Sequence, residues 1–122
     1  AIVIIAINPG RQFSQARNAQ RWNDVNAVLN AIHQYAVDNN GSVPAAIDST
    51  PTNIGSAGAD KNLCALLSPT YVSSMPFDPT NGSFTSCAAY NTNYRVSKDA
   101  TTGRVTVAAP SAELSVTISV SR

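Results

Sequence analysis

The stretch between residues 22 and 36 limits the possible folds more than any other part of this sequence. Trp22, Val25, Val28, Leu29, Ile32, Tyr35 and Ala36 recur at spacings of three and four, which lines apolar side chains along one side of an α-helix. Arg17, Arg21, Asp24, Asn26, Asn30 and Gln34 fall largely off that stripe. The pattern predicts a helix that begins between residues 11 and 14 and stops at Asp38-Asn39-Asn40-Gly41, with Gly41 left-handed just past its end. A helix of roughly 25 residues with one apolar side needs a sheet to cover it.

The C-terminal third supplies that sheet. Tyr94 and Val96 alternate with polar residues, a turn occupies residues 98–103, and Val105 and Val107 resume the alternation until Pro110 breaks it. Leu114, Val116, Ile118 and Val120 then alternate with Ser115, Thr117, Ser119 and Ser121, giving one apolar and one hydroxylic face. Between helix and strands, Gly41, Pro44, Pro51, Gly55 and Gly58 interrupt any period over residues 41–62. A short helical turn is expected over residues 61–67, and a proline-pinned excursion over 74–82. The expected architecture is α+β: one domain over residues 1–122, with a long N-terminal helix packed on a small antiparallel meander. Its expected parts are a stem helix over 1–40, loops over 41–90 and strands over 91–122.

Residues 1–7 are all apolar and end at Asn8-Pro9-Gly10, which reads as a local breaker. A bilayer span needs about 20 apolar residues, so this run alone does not make one. It fits either a buried strand or the last turns of a longer hydrophobic helix.

Composition excludes some functions. Eight Lys and Arg against seven Asp and Glu leave a net charge of +1, without the basic surface that draws nucleic acid. Nucleic acid is therefore not the default partner. Cys64 and Cys87 are the two cysteines and His33 the one histidine, too few for a closed Cys/His zinc site. The cysteines read most simply as one disulfide in an oxidising compartment, the alternative being two reduced buried thiols.

The opening residues 1–20, followed by Arg21-Trp22-Asn23-Asp24-Val25-Asn26 and a stripe ending Tyr35-Ala36-Val37-Asp38-Asn39-Asn40-Gly41, resemble the stem helix of bacterial type IV pilins. Met75-Pro76-Phe77-Asp78-Pro79 is similar to a Pro-x-Asp-Pro of the major pseudopilins of type II secretion. The resemblance implies a non-enzymatic, secreted subunit that polymerises into a pilus or pseudopilus with copies of itself and other pilins. It also implies that residues 1–7 are the end of a longer segment that anchors the subunit in the inner membrane before assembly. Ile4, Ile7, Trp22, Val25, Leu29 and Ile32 would then pack in the core or the filament, and Arg11, Arg17 and Arg21 would contact acidic groups of a neighbouring subunit. A minor pilin acting in adhesion or DNA uptake is the alternative.

Other candidate residues have plain readings beside sharp ones. Arg21 and Asp24 suit an ordinary surface pair on one helix. Asp78, Asn81, Ser83 and Asp99 are oxygen donors that could surround calcium, without the EF-hand spacing, and no cofactor is expected. Asn40-Gly41-Ser42 and Asn81-Gly82-Ser83 match the glycosylation pattern and are equally turn tripeptides. His33 lacks a nucleophile or carboxylate at helical spacing and reads as a solvated or interface position.

Overall fold

The computed structural model describes residues 8–122; Ile4 and Ile7 lie outside the described residues. Helix α1 runs Pro9–Asp38, 30 residues, or about 45 Å. Asn8-Pro9-Gly10 starts this helix instead of breaking the chain before it. Asn8 caps it by accepting from the Arg11 N–H at 3.2 Å, and Pro9 takes the first helical position, where no N–H is needed. At the other end the Gly41 N–H donates to the Ala36 carbonyl at 2.7 Å. Both Asn40 and Gly41 adopt positive φ, 58° and 83°, so the left-handed exit takes two residues where the sequence suggested one.

Five strands form one antiparallel sheet: β1 Thr52–Gly55, β2 Ser83–Ser86, β3 Ala89–Lys98, β4 Val105–Ala109 and β5 Ile118–Ser121. The order is β1-β3-β4-β5, with β2 also paired to β3. Asn91 is opposite both Gly55 and Ser83, and Arg95 is opposite both Asn53 and Ala108. Strands β2 and β4 therefore sit end to end along one edge of β3, with β1 along the other. Between them the Thr92 carbonyl accepts from the Asp78 N–H at 2.8 Å, which carries the 74–82 excursion into the sheet.

Strand β3 alternates as its sequence requires, burying Tyr90, Thr92, Tyr94 and Val96. With Val105, Val107, Ala109 and Ile118 these face Val25, Val28, Leu29 and Ile32 of the helix in one core, and the helix lies over β4 and β5. Helix α2, Cys64–Leu67, packs against α1 and adds Cys64 and Leu67 to the same core beside Ile47, Ile54, Leu63 and Met75. Cys64 is joined to Cys87, which sits in the two-residue turn between β2 and β3. The disulfide thus ties α2 to that hairpin.

Three expectations need correction. Strands β1 and β2 lie within residues 41–90, expected to be loop; they are four residues each and owe their place to pairing with β3. The alternation from Leu114 becomes strand only from Ile118, because Leu114 and Ser115 turn through positive φ of 59° and 56°. Trp22, expected in the core or the filament, is 37% exposed and so lies outside the core. The buried stripe passes through Arg21, one residue earlier, and burial at the next turn resumes at Asp24 and Val25.

Candidate functional site

On the helix, Ser14, Arg17, Asn18, Arg21 and Asp24 have the same three-and-four spacing as the apolar residues after them. They extend the inward face toward the N-terminus in polar form. Arg21 is fully buried. Its Nε donates to Asp78 Oδ2 at 2.7 Å, Nη2 to Asp78 Oδ1 at 3.1 Å and to Thr80 Oγ1 at 2.9 Å. Its Nη1 donates to Asn18 Oδ1 at 3.1 Å and Glu113 Oε2 at 2.6 Å. That matches the five N–H donors of a guanidinium, the condition under which a charge is tolerated inside a protein.

Arg17 forks onto Glu113, with Nε to Oε2 at 2.6 Å and Nη2 to Oε1 at 2.7 Å, a charge-assisted bidentate pair. Asn18 clamps the Glu113 backbone from both sides: its Nδ2 donates to the carbonyl at 2.9 Å and its Oδ1 accepts from the N–H at 2.9 Å. Asp78 also accepts from the N–H groups of Thr80 and Asn81 at 2.9 and 3.0 Å. Two arginines and two carboxylates are thereby neutralised together, and they tie the helix to two loops distant in sequence.

The electrostatics follow the geometry. Glu113 is pulled down to about 2, by its hydrogen bonds from Arg17 first and Arg21 second. Burial pushes the Asp78 carboxyl up, but Arg21 and the turn N–H groups outweigh it and hold the group below its ordinary value. Asp24, buried one turn further on, is raised by desolvation against a lowering bond from the Tyr94 hydroxyl, which donates at 2.6 Å.

The basic cluster of the sequence is therefore split. Arg17 and Arg21 find their acids within the chain, not on a neighbour, because Asp78 and Glu113 are brought to them by the 74–82 loop and by the segment after β4. The Arg21–Asp24 surface pair is replaced by two buried groups with separate partners. Arg11 remains exposed. Asp78 has its oxygens on Arg21, Thr80 and Asn81, and Asp99 accepts from Thr101 and Thr102 in its own turn. Asn81 donates to Ser111 Oγ at 2.9 Å, while Asn40 is exposed at the helix exit. His33 is half-buried and its Nε2 has no hydrogen-bond partner among the described residues. Val25, Leu29 and Ile32 are buried in the core.

The outward side of the helix is the inverse of its inward side. Between positions 12 and 37 every exposed residue is uncharged: Gln12, Gln15, Gln20, Asn23, Asn30 and Gln34 with Phe13, Trp22, Val37, Ala16 and Ala19. Solvent faces of helices ordinarily carry the charges. Here Arg17, Arg21 and Asp24 point inward. No described helix is long and apolar enough to cross a membrane. Comparison with protein-family models, curated proteins and solved structures finds no match for this chain.

Proposed function

We propose that this protein is a structural subunit of a filament of the type IV pilus or pseudopilus class, and that its work is assembly through the long helix. The observation that carries this reading is the uncharged outward face of α1. The centres of protein interfaces are depleted of charge, and a 30-residue helix that turns its charged residues between positions 12 and 37 inward is suited to lie against other helices. Its contacts with its own domain start at Ser14, which bonds Glu113, so residues 9–13 at the start of the helix stand exposed, including Phe13 at 63%. The α+β arrangement, a long helix seated on a small antiparallel sheet, supports this reading.

The Cys64–Cys87 disulfide suits an oxidising location, and the proposed site of action is the periplasm or the cell exterior. The test is mass spectrometry of filaments sheared from the source cells. The chain should be an abundant component, in many copies per fibre. Its absence from purified filaments, with the protein present elsewhere in the envelope as single copies, would overturn the reading.

A further inference from the structure

The helix leaves two apolar features unmatched within one copy, and they lie on opposite sides of it. The first is a cleft of about 350 Å³ between the helix and the segment after β4, lined by Ala19, Trp22, Leu114 and Val116, with Arg11, Gln15 and Asn18 beside them. Trp22, Leu114 and Val116 are each exposed, and a cluster of such residues marks an interaction surface. The segment that builds it departs from its own sequence preference. Alternation from Leu114 favours an extended strand, yet Leu114 and Ser115 hold consecutive left-handed conformations that non-glycine residues rarely adopt. The clamp on Glu113 fixes that turn at its start, and the result places Leu114 and Val116 beside Trp22 instead of in the sheet.

The second feature is Phe13, nine positions before Trp22. At about 100° per residue, nine positions put the two side chains half a turn apart. Phe13 belongs to the exposed helix end, which is preceded in the sequence by the seven apolar residues 1–7.

We propose that the cleft of one copy receives Phe13 and the adjoining helix end of a second copy. The occupant follows from the chain itself. The helix end that carries Phe13 adjoins the apolar residues 1–7 in sequence, so a second copy offers apolar side chains to the cleft. Between residues 9 and 22, which carry both features, Arg11 is the one exposed charged residue, and the net charge is +1, so identical copies meet without strong repulsion. Donor and acceptor face opposite ways, so two copies do not exchange both contacts across one two-fold axis. Each added copy presents a new cleft, and such a heterologous contact grows an open chain where its rotation does not close into a ring. This rests on the filament reading and names the contact that joins successive subunits.

The test is cysteine cross-linking in the whole chain with the native disulfide retained. A mixture of Phe13→Cys and Leu114→Cys, mildly oxidised, should give the mixed dimer at about tenfold over either homodimer, the ratio for a preference of about 1.4 kcal/mol. The double variant should give a ladder of oligomers. Adding Trp22→Glu should cut the ladder about tenfold without moving the melting temperature; where that variant melts early, Val116→Glu serves instead. Equal homodimers, monomers only, or an intrachain disulfide from a helix end folded onto its own cleft would each overturn the proposal. The chain abundant in sheared filaments with no ladder would sink this contact and leave the filament reading standing. A ladder from a chain missing from filaments would do the reverse.

Discussion

The two halves of helix α1 face the same domain and are held by opposite chemistry. From Val25 to Ala36 the inward residues are aliphatic, and Val25, Leu29 and Ile32 are completely buried. Each such burial stabilises the fold by about 1.5–3 kcal/mol and specifies little about orientation, because apolar attraction has no direction. From Ser14 to Asp24 the inward residues are ions and amides, and each has a partner at a fixed angle and distance. A buried ion pair adds little net stability after desolvation. What it adds here is a rotational setting: five donors of Arg21 meet their acceptors at one angle of the helix about its own axis. The aliphatic half holds the helix down; the ionic half decides which side faces out. For a subunit whose proposed work depends on its outward face, the second matters as much as the first.

The comparison breaks most visibly if the aliphatic half is not the anchor. Leu29→Asp places an unpaired carboxylate in the core, at a cost of several kcal/mol against a total of about 5–15 for a domain of this kind. No cooperative thermal transition is expected by circular dichroism, and a melt near the wild-type temperature would remove Leu29 from the core. Next in size is Arg21→Met, which leaves Asp78 buried without its cation and should cost about 3–5 kcal/mol in urea unfolding at pH 7. The same variant tests direction. Burial then raises the Asp78 carboxyl unopposed by Arg21, so it takes a proton early, and the penalty should shrink as the pH is lowered toward 4. A loss under about 1 kcal/mol at pH 7 would mean that water reaches the pair.

The aliphatic half was legible in the sequence because periodicity in apolar residues is a local signal. The ionic half carries the same period, in Ser14, Arg17, Asn18, Arg21 and Asp24, but polar residues at helical spacing ordinarily mean solvent. What marks these as interior is the position of Asp78 and Glu113, 57 and 92 residues from Arg21, and no local pattern encodes that. The same gap bears on Trp22: followed through apolar residues alone, the stripe takes Trp22 in place of Arg21 beside it. The disulfide and the helix-then-sheet order were legible from counts and periods. Strands β1 and β2 were not, since four residues flanked by proline and glycine become strand only beside β3. The left-handed turn at Leu114 was hidden for a related reason, because its cause is the clamp on Glu113 from Asn18.

The loop that carries Asp78 offers a smaller and sharper contrast. A Cβ on Gly82 would lie 2.5 Å from the Asp78 nitrogen and 2.8 Å from the Phe77 Cβ, whereas one on Gly58 would meet nothing within 4 Å. Gly82→Ala should therefore cost about 1–3 kcal/mol by forcing the Asp78 turn away from Arg21. Gly58→Ala should be neutral or add about 0.4–1 kcal/mol by restricting the unfolded chain. Equal effects in denaturant titration would show that the Asp78 turn yields freely and that the ionic half is not rigidly seated.

The smallest effect concerns Glu113, which is partly exposed and screened by solvent. Its carboxyl is about 2 in the folded chain, against an ordinary value of about 4.3. A depressed carboxyl contributes stability that is present above its unfolded value and lost as the pH falls through its folded one. Asp48, lowered first by its bond from Lys61, and Asp99, lowered by the Thr102 and Thr101 N–H groups, act in the same direction. Asp24 acts against them: its raised carboxyl takes up a proton on folding, so acid favours the fold there. Whole-protein acid titration mixes these signs, and Glu113→Gln separates them because the other groups are common to both proteins. The wild type should melt above the variant at pH 7 and keep its margin down to about pH 5. The margin should close as the pH passes from about 4.3 to about 2. A margin that stays constant to pH 2 would mean that Glu113 holds Arg17 and Arg21 through its shape and its backbone clamp, not through its charge.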